Sequence, residues 1–574
     1  MTRQITHGVK EHRVKEQRGV VLVATLLIMA VLLVQGIAFL ATAQTEDTIA
    51  GNYRNQTQTF YGAEAGLESG IVSLRSLLAT SANPTDAQLT ALAAPALADP
   101  NYTFSAFQVQ RIRPTPYATT VSSGAHAGLM AQATDYEITA EVRGPRGSRS
   151  RLTQVVQYME IPLFQFGVFY GQGVDLEIAP GPPMTFNGRV HANSNIFMIN
   201  SSARFDSYVT TVGDVHRYLK RDPTDHGSNP QIKNTAGVYQ SLNFDHEYDQ
   251  NFNNPWTPLQ WMNAAVSTFG GLLRDSTMGV QEIVPPIPDL FYDPANPDVV
   301  SHQMIEKGTA LDSPEMQAAK LYYQADLKIL TDAAGITTAK DKNNNPVDIS
   351  ACNVTTKSFY DKREQSTMTV TEMDIVGLQS CGKAPANGVL YVSRDGVHQG
   401  IRLVNGAQLP AGGFSVVSDN PVYIQGNYNT VNKVPAAILG DAITVLSNNW
   451  GPNNSDSKGN QVTSNRPATN TTVNAAFALG PDEESGVAQG NGQLENVIRF
   501  LEDWNGDTFT YNGSIIALWH SLQATGNWRC CGDLGNNYYR PPNRVWGYDT
   551  LFNTSIPPGT PRGILVMKGR WSQA

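Results

Sequence analysis

The sequence predicts a mostly-β protein of the α+β class, with one membrane-crossing helix at the N-terminus, a small antiparallel sheet, and then a large β-rich domain. Three observations lead there. Residues 20–45 carry no charged side chain, and a helix of that length spans about 30 Å of hydrocarbon. The composition pairs 49 glycines and 33 prolines with only 16% charged residues, which suits turn-rich β structure better than a helical cytosolic enzyme. Beyond residue 100 the apolar residues alternate with polar ones or fall in runs of three to six, too short for helices. At 574 residues the chain exceeds one ordinary core, so two or three domains are expected behind the membrane segment.

Arg3, Lys10, Arg13, Lys15 and Arg18 outweigh Glu11 and Glu16 before the apolar run, and Glu46 and Asp47 follow it. The positive-inside rule therefore keeps residues 1–19 in the cytoplasm and puts everything after residue 45 outside. The net of +3 in residues 1–19 leaves −12 on the rest of a chain whose total is −9. An acidic body argues against nucleic acid as a partner, since nonspecific binding needs clustered Lys and Arg. The apolar run is too long for a usual signal peptide, which leaves a plain anchor or a leader cut just before the helix. Phe60, Leu67, Ile71, Leu74 and Leu78 keep to one helical face, so the helix is expected to continue outward to residue 80.

The segment EQRG followed by VVLVATLL, a short basic leader ending in Gly19 directly before the apolar stretch, resembles the signal of type IV prepilins. The stretch AGNYRNQTQTFYGAEAGLESG contributes Gly51, Asn52, Arg54, Tyr61, Ala63, Glu64, Ala65 and Leu67 to a pattern that resembles the N-terminal domain of PilX-type pilus assembly proteins, over roughly residues 15–80. The resemblance implies a prepilin leader at residues 1–19, cleavage after Gly19 by a prepilin peptidase, and methylation of the new N-terminus at Val20. It implies a pilin-like helix over 20–80, with 20–45 in the inner membrane and the body outside, on a pilus or the cell surface after assembly. Other minor and major pilins are the implied partners, with a large tip adhesin as a further one.

Two positions depart from that pattern. Val20 stands where major pilins have Phe, and Ala24 stands where they have the Glu that pairs with a neighbour's N-terminal amine. A chain without that ion pair suits a minor or capping position better than a repeating one. The expected function is therefore that of a non-catalytic minor pilin-like component of a type IV pilus or related filament, acting in assembly initiation or at the tip, with adhesion as an added role. For Glu64, spaced i,i+4 from Glu68, a solvated helix face is the alternative to a contact role.

Residues 81–100, rich in Ala and Pro, read as a linker. YTFSAFQVQRI, DYEITAEVRG and RLTQVVQYMEI alternate as half-buried antiparallel strands do, so residues 81–161 are expected to form a pilin-like head. From 162 to 574, runs such as MTFNGRVHANSNIFMI, GVLYVSRDG and GFSVVSDNPVYIQGNYN predict an irregular parallel β-solenoid with Asn and Gly corners, a β-sandwich being the alternative. An insertion is expected from about 206 to 378, containing one amphipathic helix in SPEMQAAKLYYQADLKILTDAAG. Segments including ILGDAITVLSNNW and PPNRVWGYDTLF resemble the C-terminal part of large PilX-type proteins, over about the last 180 residues.

The cysteines are Cys352, Cys381, Cys530 and Cys531, and export makes disulfides permissible. Four cysteines allow three pairings; a Cys352–Cys381 bridge is expected, closing a loop long enough to stabilise. Cys530 and Cys531 are adjacent, with α-carbons about 3.8 Å apart, so a bond between them would be strained. Asp503, Asn505 and Asp507 begin like a calcium loop, but Ser514 stands where the bidentate Glu belongs, so a plain turn is preferred to calcium. Asp341, Asn343 and Asn345 invite the same reading, with a turn at Asn344 preferred. GLQSCGKA has phosphate-loop spacing, but Ala384 replaces the needed hydroxyl. His191 lies among amides and is expected to be a hydrogen-bonded corner residue. No catalytic residue, metal or cofactor is expected; the alternative function is a membrane-anchored β-solenoid that binds or processes carbohydrate.

Overall fold

The computed structural model describes residues 17–80, 84–122, 126, 128–171, 173–248, 254–293, 295–451, 456–482, 492–529 and 537–573. The chain divides into two compact units, one made of residues 1–116, 134–158 and 566–574, the other of 117–133 and 159–565.

In the first unit a single helix runs unbroken from Gln17 to Thr80. Strands Thr103–Arg111, Met130–Arg143, Arg149–Pro162 and Arg562–Gln573 follow one another across the accompanying sheet. The first two are antiparallel, from Thr103 opposite Arg143 to Arg111 opposite Tyr136. The three strands read between 81 and 161 are present; the fourth, from the end of the chain, was not expected. Nor is the stretch read as a linker without structure. Asp86–Thr90 is a short helix closed by a capping box, in which Thr85 Oγ1 accepts from Gln88 N at 3.3 Å and Gln88 Oε1 from Thr85 N at 2.8 Å.

The second unit is a parallel β-solenoid whose sheets are not closed. Its longest sheet, among the described residues, places eleven strands side by side. Every neighbouring pair is parallel except Leu327–Thr331 with Thr337–Asp341 at one edge. One residue from each of ten strands forms a continuous ladder: Leu327, Leu390, Val416, Ile438, Phe477, Ile515, Val168, Val190, Val209 and Leu273. All ten are buried in one core, which is why three-residue strands suffice: each is held by rungs above and below rather than by its own length.

Chain order and spatial order disagree. The chain enters at Val168–Tyr170, winds through Val190–Ala192 and Val209–Thr211 to Leu273–Arg274, then crosses to the opposite end of the sheet at Leu327–Thr331. From there it winds back to Ile515–Ala517, which pairs with Val168–Tyr170, where the solenoid began. The stack is continuous in space and permuted in sequence.

Two expectations for this region are corrected. Residues 206–378 are not an insertion as a whole, because strands Val209–Thr211, Val215–His216, Leu327–Thr331 and Ser366–Asp374 are rungs of the solenoid. The expected helix in 313–335 is broken into Pro314–Ala319 and Leu321–Gln324, followed by the strand Leu327–Thr331. The break falls at Lys320, whose backbone is extended and whose buried ammonium is held by Asp312 at 3.0 and 3.1 Å. Beyond it, pairing on both sides of Leu327–Thr331 outweighs local helix propensity.

Asn residues make the corners, as expected: Asn200, Asn405, Asn429 and Asn432 have φ between 49° and 78°. At one corner Asn474 donates to Asn429 O at 2.9 Å and Asn512 donates to Asn474 Oδ1 at 2.8 Å, linking three successive rungs.

One buried carboxyl is kept neutral by protonation. The Glu502 carboxyl, fully buried, accepts from Ser447 N at 2.6 Å and Ser447 Oγ at 2.8 Å, and burial pushes its pKa up to about 8 from an ordinary 4.5. A carboxyl whose folded pKa lies above its unfolded one stabilises the fold below the unfolded value and loses that contribution as pH rises through the folded value. Stability is therefore expected to fall between pH 4.5 and 8, with Glu502 contributing a slope of about 1.4 kcal/mol per pH unit. Thermal unfolding of the full chain in detergent across this range checks it: Glu502→Gln should flatten the profile, and an unchanged profile would contradict the assignment.

Candidate functional site

The N-terminal helix changes character along its length. From Val20 to Leu40 the large apolar side chains stand exposed, with Val20 at 70% and Phe39 at 75%, and the segment is long and apolar enough to cross a membrane. Thr25, Thr42, Thr45 and Thr48 return their hydroxyls to the carbonyl four residues back, at 2.7–2.9 Å. Those polar groups are thus satisfied within the helix, as a lipid environment demands. Ala24 lies in this exposed stretch and presents a methyl group, not a carboxylate.

Past residue 58 the same helix turns one face inward. Ala63, Leu67, Ile71, Leu74 and Leu78 are buried against Tyr136, Ile138, Ala140, Val142, Leu152, Val156 and Tyr158 of the sheet. The four leucine and isoleucine positions of the expected face are all in that core; Phe60 is half-buried at its edge.

Glycines at a four-residue spacing let helix and sheet approach this closely. A Cβ on Gly66 would come within 2.6 Å of Phe104 and 2.8 Å of Ala140, and one on Gly70 within 2.8 Å of Ile138. A buried polar contact fixes the helix lengthwise: Thr59 Oγ1 lies 3.0 Å from Ser150 Oγ, and Gln56 Nε2 donates to Arg149 O at 3.0 Å. Sequence reasoning missed both features, although the G-x-x-x-G-x-x-x-G spacing of Gly62, Gly66 and Gly70 was visible. The C-terminal strand adds Trp571, edge-on to Phe60, and Lys568, paired with Glu68 at 2.5 Å. That ion pair is half-exposed on both sides and contributes little.

The other residues singled out in this segment face outward. Asn52, Arg54 and Glu64 are exposed, and none takes part in a side-chain hydrogen bond or ion pair among the described residues. Gly51 lies under Arg146, whose Nη1 would be 3.0 Å from an added Cβ. Gly19 and Val20 are both helical; most of the leader, residues 1–16, lies outside the described residues.

The remaining candidates are dispersed over the second unit. Cys352 and Cys381 form a disulfide, and Cys381 ends the helix Ile375–Ser380 that covers the phosphate-loop-like spacing. Cys530 and Cys531 lie outside the described residues. Asp503 Oδ1 accepts from Asn505 N at 3.2 Å while Oδ2 faces Arg540 at 3.4 Å, and Asp507 N donates to Trp504 O at 2.9 Å, a turn held by its own groups. Asp341 likewise accepts from Asn345 N at 2.8 Å around Asn344, whose φ is 66°.

His191 belongs to a strand rather than a corner, with Nδ1 2.8 Å from Thr210 Oγ1 and Nε2 2.9 Å from Asn193 Oδ1. Burial lowers its pKa to about 4 and keeps it neutral. One cluster was not foreseen: His246 Nδ1 lies 2.8 Å from Asp275 Oδ2 and 3.4 Å from Asp214 Oδ1. The hydrogen bond to Asp275 raises the histidine's pKa.

The glycine contacts predict that Gly66→Leu disrupts the first unit while leaving the solenoid folded. Limited proteolysis should then cut between residues 60 and 160; protection equal to wild type would contradict the close approach.

No curated protein matches the sequence. The crystal structure of the competence-associated pilin ComZ from Thermus thermophilus aligns over 91% of this chain and 98% of its own, at 11% identity and a TM-score of 0.30, too loose a likeness to carry an argument. Residues 18–68 match the family described as PilX N-terminal; they take in the exposed apolar half of the helix, the part long and apolar enough to cross a membrane, and its first packed turns.

Proposed function

We propose that this protein is a minor pilin-like subunit of a type IV pilus or a related filament, anchored in the inner membrane before assembly with both units outside. The observation that carries this reading is the two-part helix. Its first half exposes apolar side chains on every face, as a segment moving from lipid into a bundle of like helices requires, and its second half is welded to a sheet. A plain anchor would not need the second half to continue the first without a break. Other pilins are the partners this surface fits, and a prepilin peptidase is the enzyme that would release Val20.

Ala24 and the size of the second unit together favour initiation or the tip. Without a carboxylate in the apolar half, the helix cannot accept a neighbour's N-terminal amine there. More than 400 residues follow the head, and helices packed in a bundle lie only about 8–10 Å apart, so a bulky unit in every subunit would obstruct lateral packing.

Cleavage is expected between Gly19 and Val20. Intact mass of the protein from cells with and without a prepilin peptidase checks it; residues 1–19 retained in both would leave a plain anchor. The protein is also expected in few copies per filament, and its deletion to lower filament number rather than thickness. Ala24→Glu should raise the copy number if the missing carboxylate sets the limit. Immunogold labelling that decorated wild-type filaments uniformly would contradict a tip position.

A further inference from the structure

The seam where the permuted solenoid closes on itself is sealed on one face and open on another. On the long sheet Ile515–Ala517 pairs directly with Val168–Tyr170. On a second face the ladder stops. Among the described residues, six strands end at Ile498–Phe500, three others start at Leu176–Ile178, and these two sheets are not joined. In place of the missing pairing stands the turn Leu494–Asn496, from which Glu495 Oε2 accepts the Ala179 amide at 3.3 Å. The gap holds a cavity of about 300 Å³, lined from one side by residues between Ala179 and Asp225 and from the other by residues between Gln493 and Arg544.

Its walls are built rather than incidental. Trp528 donates Nε1–H to Tyr539 Oη at 3.1 Å, Tyr539 in turn donates to Asn496 Oδ1, and Arg544 Nη2 reaches the same oxygen at 3.1 Å. This relay spends the polar edge of Trp528 inward and fixes the plane of its half-buried ring, which rests on Gly492, where a Cβ would lie 2.5 Å from the indole. Gln493 sits at φ 62° and ψ −176°, a strained backbone for a residue with a side chain, and such strain collects at functional sites. Gln493, Glu495 and Arg544 are each more than nine-tenths buried.

We infer that this cavity binds an uncharged saccharide of one or two rings. The volume lies at the lower end of small-molecule sites, about 300–1,000 Å³. Arg221 and Arg544 share the lining with Asp225 and Glu495, so neither sign of charge has the cavity to itself. Burial raises the Glu495 pKa to about 7, so its carboxyl offers a donor as well as an acceptor near neutral pH. Residues with amide, carboxyl and guanidinium groups line this space, and such groups suit hydroxyls, which donate and accept at the same atom. A fixed indole beside them supplies the apolar surface that the C–H face of a sugar ring needs. The role is binding; no bond is made or broken.

Saturation-transfer NMR on the full chain in a zwitterionic, sugar-free detergent tests this. The probes are glucose, galactose, N-acetylglucosamine and their β1,4-linked disaccharides, with inorganic phosphate and spermidine as charged controls. At least one neutral sugar is expected to bind saturably and neither charged control to compete. Trp528→Ala should weaken that binding tenfold or more, and Arg221→Gln, a half-exposed change on the opposite wall, several-fold without altering the thermal midpoint. Failure of every sugar, competition by a charged control, or binding unchanged in Arg221→Gln would overturn the proposal, whether or not Trp528→Ala folds.

Discussion

The pairing of Ile515–Ala517 with Val168–Tyr170 is the contact on which the second unit depends. A parallel stack of mostly two- to six-residue strands has almost no stability rung by rung; each strand is held by the neighbours that complete its hydrogen bonds and bury its apolar side. Because the chain enters this stack in the middle, the seam joins residues more than 340 positions apart. Without it there would be two shorter stacks, each with an open edge of unpaired backbone. The ladder from Leu327 to Leu273 passes through this point with Ile515 above Val168, so the apolar core is one body rather than two.

The same closure accounts for the irregularities around it. Two windings that meet from opposite ends of a sequence match register on one face more readily than on every face. On the long sheet they match, and on the face of Ile498–Phe500 and Leu176–Ile178 a turn fills the space instead. Buried polar groups gather near such places: Glu502 is held by Ser447, and Glu495 by the Ala179 amide. Both carboxyls have raised pKa values, burial being the cause in each. Loss of backbone pairing is thus compensated by side chains that accept from the stranded amides.

How far the sequence is legible follows from how local each signal is. The helix could be read because its apolar run and its Leu67, Ile71, Leu74, Leu78 face repeat within a few turns, and the head strands because each alternates over about ten residues. The solenoid was legible as short apolar runs with Asn corners, but its order was not, since nothing near Val168 announces Ile515. Strands as short as Val215–His216 carry no period at all, so a stretch of the solenoid passed for an insertion. Arg562–Gln573 shows no alternation, four apolar residues running together from Ile564 to Met567, and its sheet neighbour, Arg149–Pro162, is some 400 residues away. Among the candidate site residues, the Cys352–Cys381 bridge was foreseen. The cavity was not, because its two walls meet only in the fold.

What joins fold to function is the division of labour along Gln17–Thr80. An all-round apolar first half has no packing partner among the described residues, while the second half is committed to the sheet by Gly66, Gly70 and Thr59. Such a helix is complete only against other helices or lipid. The most direct measurement places a photo-crosslinking residue at Leu33, 66% exposed in the apolar half, and analyses filaments sheared from cells. Adducts with other pilin subunits are expected in the filament fraction; a chain confined to the membrane fraction, with no pilin adduct, would contradict its role as a filament subunit.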